Sequence, residues 1–532
     1  MERSEAEAIY GQGREAVVRV LLALSAQNER LASQVQALSA RVARQDERIA
    51  QLERRLNRNS RNSSTPPSVD PPSRKPKRGK DPSGRSQGAQ TGHEGHGREL
   101  LPLAAVDELI EYWPERYRCG RLFTEGELRA VGEPLRHQVE ELPVISAQVI
   151  EHRCERVCCP GCGRHTRAEL PADVANSAFG PRFQAAVAAL SIRNRVSRRD
   201  VVELCEELFG ARVCGGTVDA ILTRVADTLA GPYEDLLGRV HASEGLNMDE
   251  TGWRLKGAQR ALWGMFTQRH AFFHVAAGRH EEHAKRLLEG HTGIVTSDRW
   301  WAYSHLPLAR RQLCWSHLKR DFQAHAEGLG AEKEFGEHGL ALCERVFWAF
   351  EVFQHTGDRR ELKRTIRSLG REYKPVIAGY ASKHARNKRC RGMARNLLKA
   401  WPALWTFAAH NGVQPTNNHA ERALRSAVIY RKLSLDSQSE EGEQRIAQLL
   451  SASITCRLQH RSLHAYLIDL LNAHARGDPT PLLSKNSPGT ERLPSSASSP
   501  AAVFRLWAHL WAHPALGRGS EAGLRAATWP EP

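Results

Sequence analysis

Two shortages narrow the reading of this chain before any motif does. No uninterrupted apolar run approaches the roughly 18 residues of a membrane-crossing helix, and mean hydropathy is −0.51. No membrane partner is therefore expected. The first residues offer Glu2 and Glu5 instead of a basic stretch followed by an apolar one, which argues against a secretory leader and for a cytoplasmic protein. Acids are also in short supply. Against 76 Lys and Arg stand 60 Asp and Glu, a formal net charge of +16, so a polyanionic partner is expected, with DNA or RNA ahead of lipid. The 11 cysteines are not spread as a disulfide framework; several crowd between Cys154 and Cys162, the habit of a local metal site. At 532 residues the chain is too long for one core and divides into several units.

Residues 1–57 read as a coiled coil. Leu21, Leu24, Leu31, Val35, Leu38, Val42, Ile49, Leu52 and Leu56 recur at steps of three and four with Asn28 and Gln45 on the same seam, a pattern that pairs helices in a dimer or higher oligomer. Packing of this helix on its own domain is the alternative. Residues 58–100 are polar, Pro-rich and then basic, with Arg74, Lys75, Lys77, Arg78 and Lys80; this is a linker suited to phosphate contact without sequence reading.

Residues 101–172 hold Cys119, Cys154, Cys158, Cys159 and Cys162. The Cys159-Pro160-Gly161-Cys162 turn supplies half of a tetrahedral Zn²⁺ site, and Cys119 with Cys154 or Cys158 would complete it. Cys119, Cys154, Cys159 and Cys162 are the expected zinc ligands. Arg116 stands where the leading cysteine of a first Cys-x-x-Cys turn would fall. Residues 173–240 read as helices, the last opened by Thr217 as N-cap, in an order compatible with a helix-turn-helix that reads a major groove and equally with a trihelical packing unit.

From 241 to 472 the pattern changes. Asn247 to Trp253 reads as a strand carrying Asp249, Ala261 to Thr267 and Ala271 to Ala276 as the next two of an antiparallel meander, and Glu281 to Leu288 as a helix. A fourth strand then ends at Asp298, parallel to the first because a helix crosses between them. Gln312 to Trp315 is a fifth strand leading into a helix through His317. This order is that of an α/β ribonuclease-H-like core, with a basic helical insertion at 333–410 and a low-complexity tail at 473–532. Arg359 to Lys399 in the insertion suits phosphate tracking.

Asp249, Asp298 and Glu421 then become candidate ligands of Mg²⁺ or Mn²⁺, hard cations that take carboxylate oxygens and leave positions open for a phosphate. Two such ions catalyse in-line displacement at a phosphodiester, first by water and then by the freed 3′-hydroxyl. Glu421 has a second reading, as the N3 residue of a capping box begun by Asn418. Glu250, next to Asp249, points to the other face of its strand. His317 is expected near the active site, and with Arg422, Arg425, Arg431 and Lys432 among the DNA contacts; Cys314 and His317 also have the spacing of half a zinc site. A nuclease without strand transfer and an inactive remnant or DNA-binding repressor would share these residues.

Asn57 to Ser68, Met248-Asp249-Glu250-Thr251-Gly252, Ser297-Asp298, Cys314-Trp315-Ser316-His317 and Thr416 to Arg425, in this order, resemble the successive signatures of the insertion sequence 66 transposases. The resemblance runs from about residue 15 to 472. It implies a DDE transposase with Asp249, Asp298 and Glu421 as the metal-binding triad, an N-terminal helical arm, a zinc module, a helical insertion before the glutamate, and accessory proteins encoded by the same element. Arg116 departs from the zinc pattern, and the tail beyond Asp478 matches no feature of that family.

Overall fold

The computed structural model describes residues 8–56 and 99–484, except 9, 12, 123, 125, 127–128, 172–173, 175–176, 383–386 and 435–436. The linker cations Arg74 to Lys80 and the tail from residue 485 thus lie outside the described residues. Helix α1 (Arg14–Leu56) is continuous for 43 residues. Along it Leu21, Leu31, Val35, Leu38, Val42 and Ile49 are exposed. A short antiparallel hairpin follows, β1 (Arg156–Cys158) with β2 (His165–Arg167), with the Cys159 to Cys162 turn at its tip. Cys159 N–H donates to the Arg164 carbonyl and Gly163 N–H to the Cys159 carbonyl, both at 2.8 Å.

Helices α2 (Pro181–Ala188), α3 (Arg198–Phe209), α4 (Gly215–Thr228) and α5 (Ala230–His241) lead into the sheet. The residue preceding α4 is Cys214, so Thr217 sits inside the helix and is not its N-cap; its hydroxyl lies 3.3 Å from the Cys214 thiol. Val218, Ile221, Leu222, Val225 and Ala226 of α4 are buried, while its exposed positions are Gly215, Gly216, Ala220 and Asp227. One side of α4 thus packs into the helical layer, and Arg224 on its flank is half-buried.

The sheet has five strands, β3 (Gly245–Leu255), β4 (Ala258–Phe266), β5 (Ala271–Ala276), β6 (Ile294–Ser297) and β7 (Arg311–Leu313), in the order β5-β4-β3-β6-β7. The first three are antiparallel neighbours, and β3, β6 and β7 run parallel. Leu255 pairs with Ala258 across a two-residue turn, in which Lys256 and Gly257 both take positive φ, the conformation that matches strand twist in a tight hairpin. Helix α6 (Glu281–Leu287) makes the crossover from β5 to β6. Gly293, entering β6, runs so close to the start of β3 that a Cβ there would meet the Glu244 carbonyl oxygen at 2.4 Å.

Alternation divides the sheet into two faces. Leu246, Met248, Trp263 and Phe272 pack on one side with Tyr303 and the crossover helix. Trp253, Leu262, Phe266 and Phe273 pack on the other, against α12 (Asn418–Ser434), α13 (Glu440–Leu458) and the helices from α2 to α4; α14 (Leu463–Arg476) closes that layer. The free edge of β5 is capped by α13. The Ser451 and Thr455 hydroxyls accept from Phe273 N–H at 2.9 Å and Ala271 N–H at 3.0 Å, which removes an edge that would otherwise pair with another chain.

Beyond β7, helix α7 (Trp315–Ala326) joins α8 (Ala331–Thr356), α9 (Arg359–Ala381), α10 (Lys388–Lys399) and the single turn α11 (Thr406–Ala409). These form a separate core around Trp315, Phe322, Phe335, Leu369 and Phe407. Arg360, Arg364, Arg367, Arg371 and Lys374 of α9 are exposed, whereas Arg359 caps the end of α11: its Nη1 donates to the carbonyls of Phe407, Ala408 and His410.

Candidate active site

Asp249 lies on the middle strand of the sheet, on the face toward α12. Directly across on β4 stands Gly264, and the Phe266 ring lies across the place where a Gly264 side chain would be, so no longer side chain crowds the carboxylate. Asp249 Oδ1 accepts from Glu250 N–H at 3.0 Å. Its carboxyl is pushed well above the ordinary range by burial first, then by the negative charges of Glu250, Asp298 and Glu421. Glu250 is on the other face, as the strand period requires. Its carboxylate takes the Arg279 guanidinium and, at 2.6 Å, the Tyr303 hydroxyl.

Asp298 follows β6 immediately. Asn247 of β3 pairs with Thr296 of β6, so the chain reaches Asp298 level with Asp249. Asp298 Oδ1 accepts from Trp300 N–H at 2.9 Å, which closes the turn after the strand. The Arg311 guanidinium holds the Asp298 carbonyl at 3.0 Å.

Glu421 arrives from a distant segment through a set of amide bonds. Asn417 is fully buried; its side chain accepts from Asn247 Nδ2 at 2.9 Å and donates to the Met248 carbonyl at 3.0 Å. Two residues on, His419 Nε2 meets the Thr267 carbonyl at 2.7 Å, and farther along Arg431 donates to Thr251 Oγ1 and the Gly252 carbonyl. The small residues Ala420, Ala423 and Ala427 form the buried side of α12 and let it lie close over β3 and β4. The capping box is not formed: the helix begins at Asn418, and Glu421 Oε1 instead faces His317 Nδ1 at 3.5 Å.

His317 is in the first turn of α7, and Cys314 just before it is buried, its thiol accepting from Asn417 N–H at 3.1 Å. Burial pushes the Cys314 thiol up to about 11. Cys314, His317 and Glu421 bring one ligand atom each within 4.8 Å of one another, the one such group of His, Cys, Asp or Glu among the described residues. Asp249, Asp298 and Glu421 do not meet that single-ion spacing, which is compatible with ligands shared between two cations roughly 3.5 to 4 Å apart. Nor do Cys119, Cys154, Cys159 and Cys162. Of these, Cys159 and Cys162 are neighbours, and backbone N–H groups of the turn together with Cys162 lower the Cys159 thiol.

Of the expected DNA contacts on α12, Arg422, Arg425 and Lys432 are exposed and Arg431 is half-buried in its anchoring role. Sequence reading passed over Arg254, Arg260 and Arg279. Together with Arg431 and Lys432 they line a cavity of about 690 Å³ floored by Trp253. The hairpin alone does not gather Arg254 and Arg260: its register sets Arg254 opposite Gln259 and Arg260 opposite Trp253, on opposite faces of the ribbon, and only the tertiary fold brings both to one cavity. A second groove of about 630 Å³, on the helical insertion, is lined by Trp401 and Trp405 with Arg367, Arg371 and Lys374 around it.

The chain is similar to three proteins of Sinorhizobium fredii, each described as uncharacterized. It is 23% identical to y4hP over 408 residues, 68% of this chain and 73% of that one. To y4jD it is 23% identical over 409 residues, 71% of this chain and 78% of the relative; to y4qI, 26% over 221 residues, 38% and 40% of the two chains. Residues 16–99, the long helix and the linker, match a family of unknown function, DUF6444. Residues 176–445 match the model of the Transposase IS66 family, and that span takes in the sheet, all three acidic positions and the whole helical insertion. With just over half of its length matched in this way, the chain belongs to the IS66 family of transposases.

Proposed function

We propose that this transposase cuts and joins DNA strands at the ends of its mobile element, using Asp249, Asp298 and Glu421 on a ribonuclease-H-like core. The observation that carries the reading is the grouping of carboxylates: the parallel register brings Asp298 level with Asp249, and the Asn417 bonds to β3 bring in the helical turn that bears Glu421. A carboxyl lifted by burial and by three acidic neighbours is a site in need of cations, and the chemistry of the donor set, all carboxylate oxygen, fits Mg²⁺ or Mn²⁺. Bound there, such ions would supply Lewis-acid activation of the phosphodiester and neutralise charge at the reacting oxygens.

The chain's own residues do the rest. Asn417 and Arg431 hold α12 against β3, which keeps Glu421 near Asp249 while the substrate strand is exchanged. The exposed Arg422, Arg425 and Lys432, with the exposed Arg254 of the neighbouring cavity, hold backbone phosphates and orient the strand in line. The cations of α9 and α10 extend that surface along the duplex. Helix α1, with its apolar stripe exposed, pairs with a second copy so that two element ends are brought together. Residues 101–172 act as a zinc module nucleated by Cys159 and Cys162, and accessory proteins of the element assist assembly.

The test is strand cleavage and joining on a labelled element end with Mg²⁺, comparing the native protein with Asp298→Asn. Joined product from the native protein alone is the expected result. Binding without cleavage by both proteins, with accessory partners supplied, would replace this reading with an inactive remnant or a DNA-binding repressor.

A further inference from the structure

Near the active site an imidazole nitrogen and a carboxylate oxygen face each other. His317 Nδ1 and Glu421 Oε1 are both buried and neither has a hydrogen-bond partner among the described residues. Their separation is 3.5 Å, beyond the usual range of an N–H to O bond. It is close to another distance: two atoms each about 2.0 to 2.1 Å from a tetrahedral zinc ion lie about 3.4 Å apart. Cys314 Sγ completes the set, within 4.8 Å of both.

We propose that Cys314, His317 and Glu421 are three ligands of a thiophilic divalent cation, Zn²⁺ by preference, with a fourth position open. One sulfur, one imidazole nitrogen and one carboxylate oxygen form a borderline-soft set that selects zinc or cobalt over Mg²⁺. Its supports are in position: the Asn417 N–H to Cys314 Sγ bond at 3.1 Å is the donor a metal-bound thiolate uses to spread its charge. Binding displaces the thiol proton of Cys314 to solvent, one proton for one cation. The ion would tie the start of α7 to the first turn of α12, so that Glu421 is held from behind. A carboxylate has two oxygens, so ligation through Oε1 leaves the other for the Asp249 side.

The inference stands on these three side chains and not on the hydrolytic reading, and one protein preparation separates the two. The full chain is made with Cys119, Cys154, Cys158, Cys159 and Cys162 all changed to Ser, so that thiols of the N-terminal module do not report. It is freed of metal and titrated with Co²⁺. Expected are a thiolate-to-cobalt charge-transfer band and the visible bands of four-coordinate cobalt, saturating at one ion per chain, reversed by Zn²⁺ and unaffected by excess Mg²⁺. Adding Cys314→Ser abolishes the charge-transfer band. Adding His317→Gln, which keeps the side chain's length and polarity, leaves the fold by circular dichroism and weakens cobalt binding at least tenfold, since even supporting residues of metal sites are worth about 10- to 100-fold. Absence of a charge-transfer band in the parent, or a band that survives Cys314→Ser, overturns the proposal. Cleavage by the same parent with Mg²⁺ reads the transposase mechanism separately: cobalt binding without cleavage strikes the mechanism alone, and cleavage without cobalt binding strikes this site alone.

Discussion

The Asn417 side-chain amide donates to the Met248 carbonyl at 3.0 Å, joining residues 169 apart in sequence. Through this bond and its partner to Asn247, the segment that begins α12 is attached to β3 next to Asp249. Glu421 inherits its position from that attachment, because one helical turn is all that separates it from Asn417.

Asn417→Ala is accordingly expected to cost about 1 to 3 kcal/mol, the range for leaving buried polar partners unsatisfied. Urea unfolding of the variant measures the loss. Strand cleavage should fall more than end binding does, since the carboxylate geometry is disturbed while the exposed cations of α12 remain. Equal losses in both would mean that Asn417 serves the fold only.

Asp249 makes a prediction about pH. Its folded-state carboxyl holds the proton above the ordinary Asp value near 3.9. Folding is therefore favoured by this group at low pH, and the advantage is lost as pH rises through the raised folded-state value. In chelator at neutral pH, Asp249→Asn should melt at a higher temperature than the native protein, and the gap should close as the pH falls toward about 4. Added Mg²⁺ should raise the melting temperature of the native protein and not that of the variant. Thermal melts across this pH range check all three statements; a variant that melts lower at neutral pH refutes the assignment of a repelled, buried charge.

The cavity beside α12 predicts a salt effect. Arg254 and Lys432 reach it from exposed positions, so their removal should leave the fold intact. Arg254→Ala with Lys432→Ala is expected to weaken DNA binding without changing sequence preference, and to reduce the slope of log affinity against log salt by about 2, roughly one unit for each phosphate contact. An unchanged slope would take this cavity off the DNA path.

Helix α1 predicts an assembly state. Val35, Leu38 and Val42 are between 53% and 60% exposed, an apolar stripe that a second copy would cover. Deleting residues 1–57 should convert the dominant species to monomer in light scattering coupled to size exclusion. A full-length protein that is already monomeric would assign the stripe another partner.

Much of the sheet was legible in the linear chain because strands write a period of two into their residues. The five strands and the crossover helix fall where the apolar alternation and the turn residues put them, with ends displaced by a few positions. The separation of Asp249 from Glu250 onto opposite faces follows from the same period, and the long apolar seam of α1 is equally local information. Family membership was readable too, since short motifs in a constant order are a property of sequence. What alternation does not carry is which distant segment comes to rest on which face. Asn418-His419-Ala420-Glu421 has the residues of a capping box, and only the pull of Asn417 toward β3 starts the helix at Asn418 and leaves Glu421 facing His317. Thr217 has the chemistry of an N-cap, yet the packing of α4 extends that helix back past it. Arg359 reads as one cation among many in a basic stretch until the fold presents three carbonyls to it. The gathering of Cys314, His317 and Glu421, and of Arg254, Arg260, Arg279, Arg431 and Lys432 around one cavity, depends on contacts between residues far apart in the chain. Local residue pattern determined the elements and singled out the acidic groups as candidates. Tertiary packing decided which of their atoms meet, because those meetings depend on burial and long-range hydrogen bonds, for which the linear order has no period.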